Sequence, residues 1–216
     1  MIKQMIVVVS IAALTVSACS SKKDANEKNF KVAIQQQLDK TSTDLCIPFS
    51  STKDVQLNSW DIKQLQPFEA AGLISGTEVE VAVHSLVMSS TVPPIITKAK
   101  RYTLTAEGKK FYQETDAQTE PRIGYPTAMH YKTGSLCYGK VAVDQIVKWT
   151  EPQQNGGVQV ALVTYLYKID NLANWAKNPD IQNVSPTLKQ MVEGASKTEL
   201  MQEVMLTNVG WEVVPH

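Results

Sequence analysis

Histidine and cysteine are scarce in this chain of 216 residues, three of each. No two histidines stand in a short metal-binding spacing such as H-x-x-x-H, and no C-x-x-C occurs, so neither a zinc motif nor a dithiol redox motif is legible. There is also no G-x-S-x-G elbow, S-x-x-K, P-loop or G-x-G-x-x-G, so no hydrolase nucleophile, phosphate cradle or dinucleotide fingerprint is visible and no cofactor or metal is expected. An excess of charge of either sign is missing too. The 21 basic and 21 acidic side chains cancel, whereas a nucleic-acid partner usually demands a basic surplus. At 43% hydrophobic and 19% charged, the composition excludes wholesale disorder, collagen and coiled coil, and the length suits one domain or two small ones.

What is present begins at the N-terminus. A short start with a single charge, Lys3, leads into the apolar run Met5–Val16 and then Val16-Ser17-Ala18-Cys19. A run of about a dozen residues is too short for a membrane span, which takes about 20, but it fits a secretory leader. The aliphatic, small, small, Cys pattern resembles the lipobox of bacterial lipoproteins. That resemblance implies a leader over residues 1–18, acylation of Cys19 and a membrane anchor through lipid. Because Ser20 and not Asp follows the cysteine, it also implies sorting to the outer membrane of a Gram-negative cell, facing the periplasm. Two or three acyl chains anchor stably where one does not. Residues 19–29, polar and without apolar periodicity, read as a lipidated flexible tether. With Cys19 modified, Cys46 and Cys137 remain as an even pair in an oxidising compartment, which predicts a disulfide. Its loop of about 90 residues is worth about 3–5 kcal/mol in the chain-entropy model.

The body reads as α+β. Phe30, Ile34 and Leu38 mark a helix to about Lys40, and Asn58 or Ser59 caps a second over Asp61–Ala71, with Pro67 inside it and Gly72 as its stop. Alternation through Val79, Val81 and Val83 predicts a strand over Thr77–Met88. A second strand follows over Lys98–Leu104 and a short helix over Ala106–Gln113. Residues 117–134, rich in Pro, Gly and Thr, read as a linker loop between a subdomain at 30–116 and a strand-rich one at 135–216. In the latter, Leu136–Trp149 and Val158–Ile169 read as strands, with Asn155-Gly156 as the turn signal. A short helix over Leu172–Lys177 is stopped by Pro179, Ser185-Pro186 opens another, and Thr198–Val214 closes as strand, turn and strand.

Two local patterns add to this. The order Ala71-Gly72-Leu73-Ile74, a strand pair, then Tyr102-Thr103-Leu104-Thr105-x-x-Gly108 resembles the second half of a winged-helix domain, over residues 61–113. In that family the helix before the wing enters DNA. Here it carries Asp61, Lys63, Gln64 and Glu69, no basic face, so the resemblance implies a reused fold and not nucleic-acid binding. Leu45-Cys46 and Leu104-Thr105-x-x-Gly108 recur as Leu136-Cys137 and Leu206-Thr207-x-x-Gly210, which raises two similar subdomains joined by the disulfide.

Candidate binding residues are few. His130 lies among Tyr125, Pro126 and Tyr131; His84 follows the alternating valines and reads as a strand residue facing water. Trp149, Tyr165, Tyr167 and Trp175 form either a sugar-binding face or core. His130, Tyr131, Tyr125 and Trp175 are therefore the tentative binding set, with Cys19 as the lipidation site. The leading expectation is an outer-membrane lipoprotein that binds another envelope protein or the cell wall without catalysis. A periplasmic inhibitor or immunity-type protein, using Glu120–Lys132, and a cell-envelope hydrolase with a dispersed site stay open beside it.

Overall fold

A computed structural model describes residues 21–41, 44–57, 59–83, 94–118 and 130–215, with the side chain of His130 excluded. The first helix, α1 (Glu27–Lys40), starts where the Asn26 side chain accepts the Asn29 N–H, with Glu27 in its first turn and Lys40 in its last. That placement complements the helix dipole. Its buried face is Phe30, Ala33 and Ile34, the i, i+3, i+4 spacing of an amphipathic helix. The segment before it, predicted to be a flexible tether, is folded from Ser21 onward. The Ser21 N–H is accepted by the Asp24 carboxylate at 2.8 Å, the Asn29 amide donates to the carbonyls of Ser21 and Asp24 at 2.8 Å each, and the Trp211 indole N–H reaches the carbonyls of Lys23 and Asp24. Polar composition concealed this, because the turn is held by its own Asp and Asn side chains and by a tryptophan far along the chain.

The larger sheet is organised on one strand of 20 residues, β6 (His130–Trp149). Strand β1 (Asp44–Pro48) and strand β5 (Tyr112–Gln118) both pair with β6 antiparallel. Its second half pairs with β8 (Val158–Asp170), and the sheet continues through β9 (Glu199–Leu206) to β10 (Trp211–Val213). Strand β7 (Gln153–Asn155) folds back on β8 through Gly156 and Gly157, at φ of 56° and 86°. Two successive positive φ angles are what a type I′ hairpin needs, so the turn is centred one residue later than Asn155-Gly156. β6 shifts register after Val143, and α1 takes up the released backbone groups: Gln35 accepts the Val143 N–H at 2.9 Å and Lys31 donates to the Asp144 carbonyl.

The disulfide is a cross-strand one. Cys46 and Cys137 stand opposite each other on β1 and β6, with Cα atoms 3.9 Å apart and sulfurs bonded at 2.10 Å. The Cys137 N–H donates away from β1, to the Phe111 carbonyl at 2.8 Å. The cysteine pair is therefore a non-hydrogen-bonded one, the site where antiparallel strands come closest.

The smaller sheet orders β2 (Thr52–Gln56), β4 (Ile95–Leu104) and β3 (Ile74–Val83) as β2-β4-β3. Helix α2 (Trp60–Ala70), capped by Ser59, lies against it. Gly72, at φ 73°, ends α2 with paired bonds from Gly72 to the Glu69 carbonyl and from Leu73 to the Phe68 carbonyl, a Schellman stop. The helix expected over Ala106–Gln113 is a single turn, α3 (Ala106–Lys109), capped by Thr105. From Tyr112 the chain is β5, because Tyr112–Gln118 finds a partner in His130–Leu136 that no local pattern announces.

After β8 come a 3₁₀ turn (Asn174–Lys177), α4 (Pro179–Val184) and α5 (Pro186–Gly194). Pro179, predicted to stop a helix, opens α4 at its first turn, where a missing N–H costs nothing. Among the described residues the hydrophobic core has two parts. One gathers Phe68, Leu73 and Tyr102 with Leu136, Tyr138, Trp175 and Ile181; the other gathers Phe30 and Ile34 of α1 with Val143, Val163, Tyr165, Val204 and Trp211. Both mix residues from before and after 117–134, and that segment is strand at each described end, not loop. The fold is α+β and holds the Cys46–Cys137 disulfide.

Candidate functional site

The residues singled out from sequence do not gather. Cys19, His84 and Tyr125 lie outside the described residues. His130 begins β6 with its backbone opposite Gln118, and Tyr131 follows opposite Ala117, 49% exposed. Trp175 is far from a surface role at 8% exposure. Its ring packs among Phe68, Phe111 and Tyr138 at centroid distances of 6.2, 6.0 and 5.9 Å. Its indole N–H finds no hydrogen-bond partner among the described residues.

Tyr165 and Tyr167 are buried in the other part of the core, where desolvation holds their phenol pKa values above the usual range. Tyr167 donates to the Met191 carbonyl at 2.8 Å, and Trp149 packs on Phe30 at 5.4 Å. Tyr165 and Tyr167 thus lie in one core region and Trp175 in the other, while Trp149 is 40% exposed, so the set forms no common face. Among the described residues, no three His, Cys, Asp or Glu side chains group as a metal site would require.

The feature that does stand out is one that the sequence does not mark as a site: the β3–β4 ribbon. Its ten residue pairs run from Ile74–Leu104 to Val83–Ile95 without a register shift. β2 covers β4 only as far as Ala99, so among the described residues the ribbon is two strands wide beyond Val79. Alternation puts Val79, Val81 and Val83 with Ile95 and Thr97 on one face. Glu78 and Glu80 take the other, opposite Lys100 and Lys98. Ile95 and Ile96 are 67% and 60% exposed. α2 lies toward the charged face, since Glu69 reaches both the Gly76 N–H at 3.0 Å and Lys100 Nζ at 2.7 Å. The first position of α2, Trp60, is exposed as well.

The outer edge of β3 is unpaired among the described residues. Glu69 occupies the edge at Gly76. By alternation, the backbone groups of Glu78, Glu80 and Ala82 then face outward. Residues 74–83 contain no Pro, Lys or bulge, and Glu78 and Glu80 are the charges this edge carries. The root of the ribbon is fixed by charge. Arg101 grips Asp54 with two bonds of 2.7 Å. These bonds draw the Asp54 carboxyl below its ordinary range and push the Arg101 guanidinium up; the bond to Glu69 likewise raises Lys100, which sits 5.1 Å from the Tyr102 ring centre. This arrangement ties the root of an apolar arm, and chemically it offers hydrogen bonds and aliphatic surface to a strand. Against known proteins, the chain matches no family model, no curated protein and no solved structure.

Proposed function

We propose that this chain is a lipoprotein held by acylated Cys19 in the outer membrane, facing the periplasm, and that it binds another envelope protein by strand addition along β3. The observation that supports the binding reading is the β3–β4 ribbon: a regular edge, unpaired among the described residues and backed by Val79, Val81, Val83 and Ile95. In strand addition, main-chain bonds supply affinity and alternate side chains supply selectivity. A partner strand beside β3 gains the outward groups of Glu78, Glu80 and Ala82 and extends the aliphatic face. The anchor reading is supported by Val16-Ser17-Ala18-Cys19 at the end of a short apolar run. Among the described residues no helix is long and apolar enough to cross a membrane.

The test is photo-crosslinking in cells, with a benzophenone side chain in place of Val81 or of Met201 on the larger sheet. A discrete adduct from position 81 that is absent at 201 is the expected result. Glu80→Pro sharpens it. Because the Glu80 N–H faces outward, proline there leaves the ladder to β4 intact but denies a bond to an added strand. The variant should fold and lose the adduct. No adduct at 81, or one that survives Glu80→Pro unchanged, refutes strand addition.

A further inference from the structure

The lipid-anchor reading, on which this inference rests, leaves very little chain between membrane and body. If the mature chain starts at Cys19, only Cys19 and Ser20 precede Ser21, which is already part of the folded turn closed on Asp24 and pinned by Asn29 and Trp211. Two residues reach roughly 7 Å even fully extended. A domain held that closely cannot swing free of the headgroup layer; some face of it must lie there.

The face around Ser21 has the composition for it. Beside the turn, a cleft of about 320 Å³ is lined by Lys22, Lys28 and Asn29, by Val32 of α1, and by Val209 and Trp211. Val209, at the tip of the β9–β10 turn, is 62% exposed, and Val32 is exposed as well. Lys22, Lys23 and Lys28 are exposed around them, against the carboxylates of Asp24 and Glu27. The surplus is a single positive charge. That is too little to recruit the protein to a membrane, at about 1 kcal/mol per lysine near an anionic surface, but enough to orient a body that acyl chains already hold there.

We propose that the acylated protein lies on the bilayer by this face, with Val209 at headgroup depth and Lys22, Lys23 and Lys28 among the lipid phosphates. The N-terminal turn then acts as a rigid mount, and the β3–β4 ribbon, on the other sheet, is held in a fixed orientation relative to the membrane.

The experiment places a nitroxide on Val209→Cys in the full acylated protein, reconstituted in phosphatidylethanolamine–phosphatidylglycerol vesicles. With Cys46 and Cys137 bonded to each other and Cys19 acylated, the new thiol is the only free one. Val32→Cys is a second position in case the first perturbs the turn, and Ile95→Cys is the exposed reference on the ribbon. The readout is collision with a water-soluble nickel chelate against collision with oxygen. The expected result is a several-fold lower chelate accessibility at 209 and 32 than at 95. Equal accessibility at all three overturns the proposal. Mass measurement of the N-terminal peptide in the same samples separates the two readings. An unmodified Cys19 overturns both the anchor and the mount; an acylated Cys19 with a water-exposed label at 209 overturns the mount alone.

Discussion

Removing the disulfide is the perturbation whose magnitude follows most directly from the structure. The bond joins residues 91 apart in sequence, and in the chain-entropy model a loop of that length restricts the unfolded chain by about 4.6 kcal/mol at 25 °C. The native side of the balance changes little. Cys46 and Cys137 are only partly buried, and β1 stays paired to β6 through Leu45, Ile47 and Pro48 with or without the bridge. The double variant Cys46→Ala/Cys137→Ala should therefore lose about 3–5 kcal/mol while its folded spectrum is unchanged. For a chain of this size each kcal/mol is worth about 2–4 °C of Tm. The assay is urea unfolding followed by tryptophan fluorescence, made in a Cys19→Ala background so that neither lipid nor a third thiol intervenes. Reduced parent protein should unfold at the midpoint of the double variant. A loss below about 1 kcal/mol, or two free thiols titrated in the oxidised parent, would refute the reasoning.

Other outcomes follow from single contacts. Gly108→Ala should destabilise by about 1–3 kcal/mol despite alanine's better helix propensity, because a Cβ there overlaps the Leu73 carbonyl; thermal unfolding reads it. Trp211→Ala should cost about 3–5 kcal/mol, since the ring is buried against Phe30. Trp211→Phe should keep most of that packing but release the bonds to Lys23 and Asp24, so that hydrogen exchange speeds up in Ser21–Asp24. Asp54, whose pKa is lowered by its bonds to Arg101, contributes stability that is present above its ordinary value of 3.8 and is lost as pH falls through the lower folded value. Unfolding curves of parent and Asp54→Asn should then differ near neutrality and converge in acid; curves that run parallel throughout would remove the ion pair from the balance.

Much of the fold is legible because it is written locally. Phe30, Ile34 and Leu38 declare α1, Ser59 and Gly72 bracket α2, and the valines at 79, 81 and 83 declare β3. Cysteine count, with the secretory leader that the N-terminus leads one to expect, yields the Cys46–Cys137 pair without geometry. What is illegible depends on distant partners. The strand over Tyr112–Gln118 exists because β6 runs on to His130, and nothing in its polar composition says so. Trp175 is open to both a binding and a core reading from sequence, with core the commoner, and its three aromatic neighbours place it in the core. The ribbon was half visible: its alternation is in the sequence, but an alternating strand looks the same whether its apolar face is covered or bare. The sequence does carry one signal. From Val81 to Thr97 the chain has no Asp, Glu, Lys or Arg at all, an unusual gap for a region flanked by Glu78, Glu80, Lys98, Lys100 and Arg101.

The two parts of the core do not follow the two halves of the sequence. α1 and β1 precede the small sheet in sequence, yet α1 packs on β6, β9 and β10, and β1 pairs with β6. The chain thus lays down part of the large structure, makes the small sheet with α2 and α3 as an excursion, and returns through β5 to complete the large one. The disulfide closes this excursion at its root, since Cys46 leaves the large sheet just before β2 begins and Cys137 lies just after β5 has paired. An arm carried on such an excursion is levered from a fixed base: Asp54–Arg101 and Glu69–Lys100 brace its root, and the Cys46–Cys137 bond ties the root to β6. Opening the disulfide should therefore loosen the small sheet before the large one. Hydrogen exchange of the Cys46→Ala/Cys137→Ala variant is expected to rise in β2, β3 and β4 while β8 and β9 stay protected. A uniform rise across both sheets would mean that the two parts of the core melt together and that the arm has no independent base.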